Sequence, residues 1–163
     1  MNQVSTVVGL VADLLRGAGG LQTKINDTAA AESVPPFDVS AEQVITRNVA
    51  ADIEERSAGS KYPCVHVYCT KAVNQMREKG RTFSGQAVMA IEARVSSDRL
   101  ENLDAQMNVL VDAVTSTLDQ NRGDLGVGVF YGGVYEVEYG AVKHGGKNFI
   151  QIAKVTFNLE ISR

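Results

Sequence analysis

Residues 87–118 read AVMAIEARVSSDRLENLDAQMNVLVDAVTSTL, and the change of period inside them decides the fold. Ala87, Met89, Ile91, Ala93 and Val95 alternate with Glu92, Arg94 and Ser96, and Gln86 precedes them in phase. Successive side chains of a strand point to opposite faces, so this alternation predicts a strand with one apolar and one wet face. From Leu100 the spacing becomes three and four. Leu100, Leu103, Met107, Leu110, Val111, Val114 and Leu118 then lie on one helical stripe of about five turns. Asp98 with Glu101 predicts a capping-box-like start, and Gly123 a stop after the last turn. A half-apolar strand joined to a one-striped helix predicts an α+β domain with the helix lying on a sheet.

Downstream the text stays β-like. Residues 127–139 form one run interrupted by Gly132-Gly133, a pair that marks a bulge or bend. Lys143-His144-Gly145-Gly146-Lys147 reads as a hairpin loop. In the last strand Val155, Phe157, Leu159 and Ile161 oppose Lys154, Thr156, Asn158 and Glu160. Counted from Phe149 it would span about 13 residues and roughly 43 Å, beyond the common strand length. Such a length predicts that part of the hairpin projects and meets another subunit.

Upstream, Val65, Val67 and Cys69 alternate with His66 and Tyr68, with Pro63 where a missing N–H costs least. Residues 41–58 hold Val44, Val49 and Ile53 among charges and predict a short strand, a short helix or both. Val4, Val7, Val8, Val11, Leu14 and Leu15 predict an amphipathic helix over residues 1–16. Residues 17–40, rich in Gly, Ala, Thr and Ser and broken by Pro35-Pro36, predict a linker or extended loop. The expected organisation is therefore an N-terminal helix, a linker, and one α+β domain over residues 41–163. That domain is a twisted, mainly antiparallel sheet of four to five strands, with the long helix and the N-terminal helix packed on it.

The 163 residues suffice for one domain, and 44% hydrophobic with 21% charged residues excludes wholesale disorder. A net charge of -3 argues against a protein devoted to gripping phosphate backbones. No run approaches the roughly 20 apolar residues of a membrane span, and no basic segment opens a secretory signal. Cys64 and Cys69 lie an odd number of strand positions apart, too far for a disulfide or a shared metal. Free buried thiols are expected, with no metal and no cofactor.

Few residues suggest chemistry. His66 shares a strand face with Cys64 and Tyr68, but neighbours two apart stand roughly 7 Å from each other, so a packed or interface histidine is expected over a nucleophile pair. The glycines near Gly123, Gly126 and Gly128 lack a phosphate-binding spacing. Arg122-Gly123-Asp124 is read as a helix-ending turn, and Asp104, Asp112 and Asp119 as the solvent face of the long helix. No enzyme is expected. Two polar loops are the candidate partner surfaces. Lys71, Arg77, Lys79 and Arg81 gather between two strands with Glu78 the one opposing charge, and Lys143, His144 and Lys147 surround the glycine hairpin. The first loop reads equally as a solvated connection or as a mobile loop that docks on an acidic partner or touches passing nucleic acid.

From about residue 44 onward the order of segments resembles the tail terminator proteins of long-tailed bacteriophages. The matching text is Ile45-Thr46-Arg47-Asn48 with the acidic residues 52–56, then Lys61-Tyr62-Pro63 leading into Val65. Arg81-Thr82-Phe83-Ser84-Gly85, Ser97-Asp98-Arg99-Leu100, and Tyr139-Gly140 through His144 to Phe149 follow in the same order. The resemblance covers about three quarters of the chain and leaves residues 1–40 outside it. It implies a hexameric ring that caps the completed tail tube, stops its polymerisation, and offers the far face to neck proteins. The implied partners are further copies of the chain, the tube protein and a neck or head-completion protein. Genomic DNA would pass through the ring without sequence-specific binding. The implied location is the virion's tail-neck junction, with the host cytoplasm during assembly and no membrane. The alternative is another neck or head-tail connector protein of the same virion.

Overall fold

The computed structural model describes residues 3–54 and 61–163. In chain order the elements are α1 (Gln3–Arg16), α2 (Leu21–Glu32), a short 3-10 turn (Ala41–Gln43), β1 (Val44–Ile45), α3 (Ala51–Glu54), β2 (Cys64–Asn74) and β3 (Ser84–Ser97). The long helix α4 (Leu100–Gln120), β4 (Gly123–Gly126), β5 (Val129–Tyr139), β6 (Lys143–Gly145) and β7 (Asn148–Ser162) complete it. The fold is α+β, as the change of period in residues 87–118 predicts. The sheet has seven strands in the order β1-β2-β3-β7-β5-β4, with β6 also on β7, rather than four to five. The two extra short strands, β1 and β6, each pair over two or three residues, too few to leave a periodic pattern. β1 lies parallel to β2, and every other pairing is antiparallel.

Helices cover one face. α4 packs on β3 and β7, α1 on β2, and α2 on α4 and α1. The core joins Val65 and Val67 of β2, Met89 and Ile91 of β3, and Val155 and Leu159 of β7 to Leu103, Met107 and Leu110 of α4. Alternation in the strands and the stripe of α4 produce this layer directly, because each buries its one apolar face. Two details of α4 differ from expectation. Leu100 is 53% exposed at the first turn, and the N-cap is Arg99, without a capping side chain. The Ser97 hydroxyl instead accepts from the Arg99 N–H at 3.2 Å, and Asn121 closes the far end on the Thr117 carbonyl.

Residues 17–40 are only in part a linker or extended loop: 34–40 run without helix or strand, but 21–32 form α2. α2 buries Leu21, Ile25 and Ala29, four residues apart, in the same core as α1. The turn between the helices requires Gly20, whose missing Cβ would sit 2.6 Å from the Leu14 and Leu15 carbonyl oxygens. After α2, Ser33 turns left-handed, and Gln22 holds the outgoing chain by accepting from the Val39 N–H at 2.7 Å and donating to the Phe37 carbonyl. The N-terminal helix packs on the sheet as expected and shares one core with it.

β7 does not project. It is a central strand whose residues 149–162 all pair with β3, itself equally long, so its length is used inside the sheet. Gly132-Gly133 does mark a bulge. Between Tyr131 and Tyr135 the register on β7 advances only from Leu159 to Phe157, leaving Val134 78% exposed. Of the remaining expectation for residues 41–58, a strand and a helical turn are both present, and residues 55–60 fall outside the described residues.

Candidate functional site

The two candidate loops stand at opposite ends of the β3–β7 pair. Ser84 pairs with Ser162 beside the β2–β3 loop, and Ser97 pairs with Phe149 beside the β6–β7 hairpin, about 43 Å of strand away. Lys71, Arg77, Lys79 and Arg81 therefore form no common patch with Lys143, His144 and Lys147. All seven are exposed.

The β2–β3 loop is held by hydrogen bonds at its base. The Asn74 side chain accepts from the Ser84 N–H at 3.0 Å and from the Met76 N–H at 3.2 Å, and donates to the Thr82 carbonyl. Phe83 and Arg163 exchange two backbone hydrogen bonds of 2.9 and 2.8 Å. Glu78 accepts from the Ser162 hydroxyl at 2.7 Å and pairs with Arg81 at 3.5 Å. Gly85 allows this closure, because a Cβ there would sit 1.9 Å from the Val73 carbonyl oxygen. Arg77 and Glu78 face Gly128, Phe130 and Ser162 across a shallow groove. At this end Met76, Val127 and Phe130 are 61%, 55% and 48% exposed. Val127 and Gly128 form the two-residue turn between β4 and β5, both with positive φ (48° and 74°). A β-branched residue is strained in that region, so a solvent-facing valine there is held against its own preference.

At the other end β6 sets Lys143 opposite Ile150 and His144 opposite Phe149. The His144 ring stands edge-on to Phe149 with centroids 5.7 Å apart. Leu100 and Val142, 53% and 42% exposed, share this end of the sheet or the strand entering it.

Glu92 and Arg94, on the strand face expected to be wet, are instead enclosed in a third cluster together with His66 and Tyr68. Arg94 is 2% exposed and His66 0%. Arg94 donates to the Glu92 carboxylate at 2.7 and 3.2 Å and to the Val49 carbonyl. Tyr68 donates to the other Glu92 oxygen at 2.6 Å, and the His66 Nδ1 lies 3.1 Å from the Arg47 carbonyl. Burial opposes ionisation of Glu92, but the Tyr68 hydroxyl, the Arg94 guanidinium and the nearby Lys154 ammonium hold its carboxyl below the usual range. Burial first, and then the Glu92 carboxylate, raise the Tyr68 phenol. The cluster fastens residues 47–49 onto the sheet face away from the helices. Cys64, 5% exposed, and His66 are both buried. Cys69 is half-buried, its thiol raised mainly by burial.

Sequence reasoning missed the edge of β5. Glu136 and Glu138 are exposed there, and α4 runs alongside: burial and then the Asp112 and Asp104 carboxylates raise the Tyr139 phenol. Alternation of Glu136 and Glu138 with Tyr135 and Val137 was the available signal. Among the described residues no group of three His, Cys, Asp or Glu could hold a metal ion, and no single helix is long and apolar enough to cross a membrane. No protein-family model matches the chain, and no curated protein matches it.

Proposed function

We propose that the chain is a phage tail terminator: a structural protein that assembles as a ring on the finished tail tube, halts its growth and presents a second face to the neck. The observation that carries this reading is the two-ended build of the sheet. One long antiparallel pair separates the Arg77–Phe130 groove, with its exposed Met76 and Val127, from the Lys143–Lys147 hairpin with Leu100. A polymer stops when the last unit's far face no longer reproduces the surface to which the next unit would bind. A domain with unlike surfaces at its two ends is suited to hold the tube with one and a different partner with the other. The strained Val127 turn also favours a binding role for its end, since strain collects where partners are engaged.

The segment resemblance from residue 44 onward supports the same reading. The net charge of -3 suits a channel that DNA crosses without sticking. Pull-down of tube protein and of neck protein from one phage, each with the purified chain, separates the terminator from another connector protein. A terminator retains the tube protein. Retention of portal-side components alone favours the connector.

A further inference from the structure

Each side of the sheet leaves part of a strand without a neighbour. β1 pairs only with Val65 and His66 of β2, so residues 67–74 have no strand on that side among the described residues. On the opposite side β4 pairs only with Val129, Phe130 and Tyr131 of β5, which leaves residues 135–139 uncovered in the same sense. Rows of unpaired N–H and C=O groups are templates for another strand.

The two free stretches carry opposite charge. Lys71 lies on the β2 stretch, which leads into Arg77, Lys79 and Arg81; Glu136 and Glu138 lie on the β5 stretch, beside Asp104 and Asp112 of α4. None of Lys71, Glu136 and Glu138 makes an ion pair among the described residues. Their faces agree. Lys71 is opposite Val88 and Val88 opposite Asn158, while Glu136 is opposite Thr156 and Glu138 opposite Lys154. Asn158, Thr156 and Lys154 share one face of β7, so all three charges project from the side away from the helices. Directions agree as well. Three successive antiparallel pairings make β2 and β5 run oppositely. A copy rotated about an axis along the strands therefore brings its free β5 beside the free β2 in antiparallel sense.

Charge selects between the possible pairings. A two-fold contact of β5 with itself sets glutamates against glutamates, and one of β2 with itself sets Lys71 against Lys71. Like charges across strands are destabilising, and opposite charges stabilise. We infer that the chain closes its ring by adding residues 135–139 of one copy to residues 67–74 of the next, with Lys71, level with Asn158, diagonally across from Glu136, level with Thr156, and Glu138 one same-face position beyond. This rests on the ring reading above and names its interface. The contact is heterologous, so repeated rotation closes a ring and continues one sheet around it.

Native mass spectrometry and amide hydrogen exchange of the full chain, across concentrations that span assembly, test the pairing. Expected are protection gained at residues 67–74 and 135–139 on assembly, and a dissociation concentration raised at least about tenfold by Lys71→Glu or by Glu136→Lys with Glu138→Lys. Combining the three reversals should restore assembly to within about threefold of the wild type. Circular dichroism melts confirm that these exposed substitutions leave the fold intact. Protection elsewhere only, or a triple variant as weak as its parents, overturns the edge pairing and leaves the ring reading standing. A chain that stays monomeric at high micromolar concentration overturns the pairing, and tube binding then decides separately whether the terminator reading falls with it.

Discussion

Arg94 alternates with the apolar residues of β3 and so reads as solvated, yet it is among the most deeply buried side chains of the protein. A buried guanidinium persists only where acceptors replace water, and here Glu92 and the Val49 carbonyl supply them. Glu92 is its same-face neighbour two residues away on β3, but the Val49 carbonyl comes from a segment 45 residues upstream, which no periodicity encodes. The consequence is a pH-dependent contribution to stability. The Glu92 carboxyl titrates below its ordinary value of 4.5 in the folded chain. Its contribution is therefore complete above that value and disappears as pH falls through the folded pKa. Glu92→Gln should cost about 1–3 kcal/mol at pH 7 in urea unfolding, and the deficit against wild type should shrink as pH drops below about 4. A deficit independent of pH would contradict the charged-network account.

At the scale of elements, α4 and the β3–β7 pair were legible because each buries one face and so writes its period into the sequence. α2 was not. It carries only Leu21, Ile25 and Ala29 on its buried side, among Thr, Asn, Asp and Ala, and it starts at Gly20 without a capping side chain. Its place is set by α1 and α4, a tertiary effect that overrides weak local propensity. Ile25 is fully buried, so Ile25→Ala should destabilise the whole chain by about 2–5 kcal/mol in a single cooperative transition. A linker residue would change stability by less than about 0.5 kcal/mol. The candidate loops were found from their charge, since exposed lysines and arginines are visible in composition. Their separation was hidden, because it depends on which ends of β3 and β7 meet. The acidic β5 edge went unread for a similar reason: a free edge is a property of the strand order, not of the strand.

For the whole molecule, one core fixes a sheet with two unlike ends and two oppositely charged sides. On the proposed reading, the oppositely charged sides close the ring, and the unlike ends meet the tube on one face and the neck on the other. Cys64 and His66 are buried within β2, in keeping with the packed thiol and histidine that the sequence predicts. Negative-stain electron microscopy of tube protein polymerising with and without the purified chain tests this account most directly. The account predicts a ring of chain density at one end of each tube and an end to elongation there. Tubes that grow to the same lengths with bare ends would contradict it.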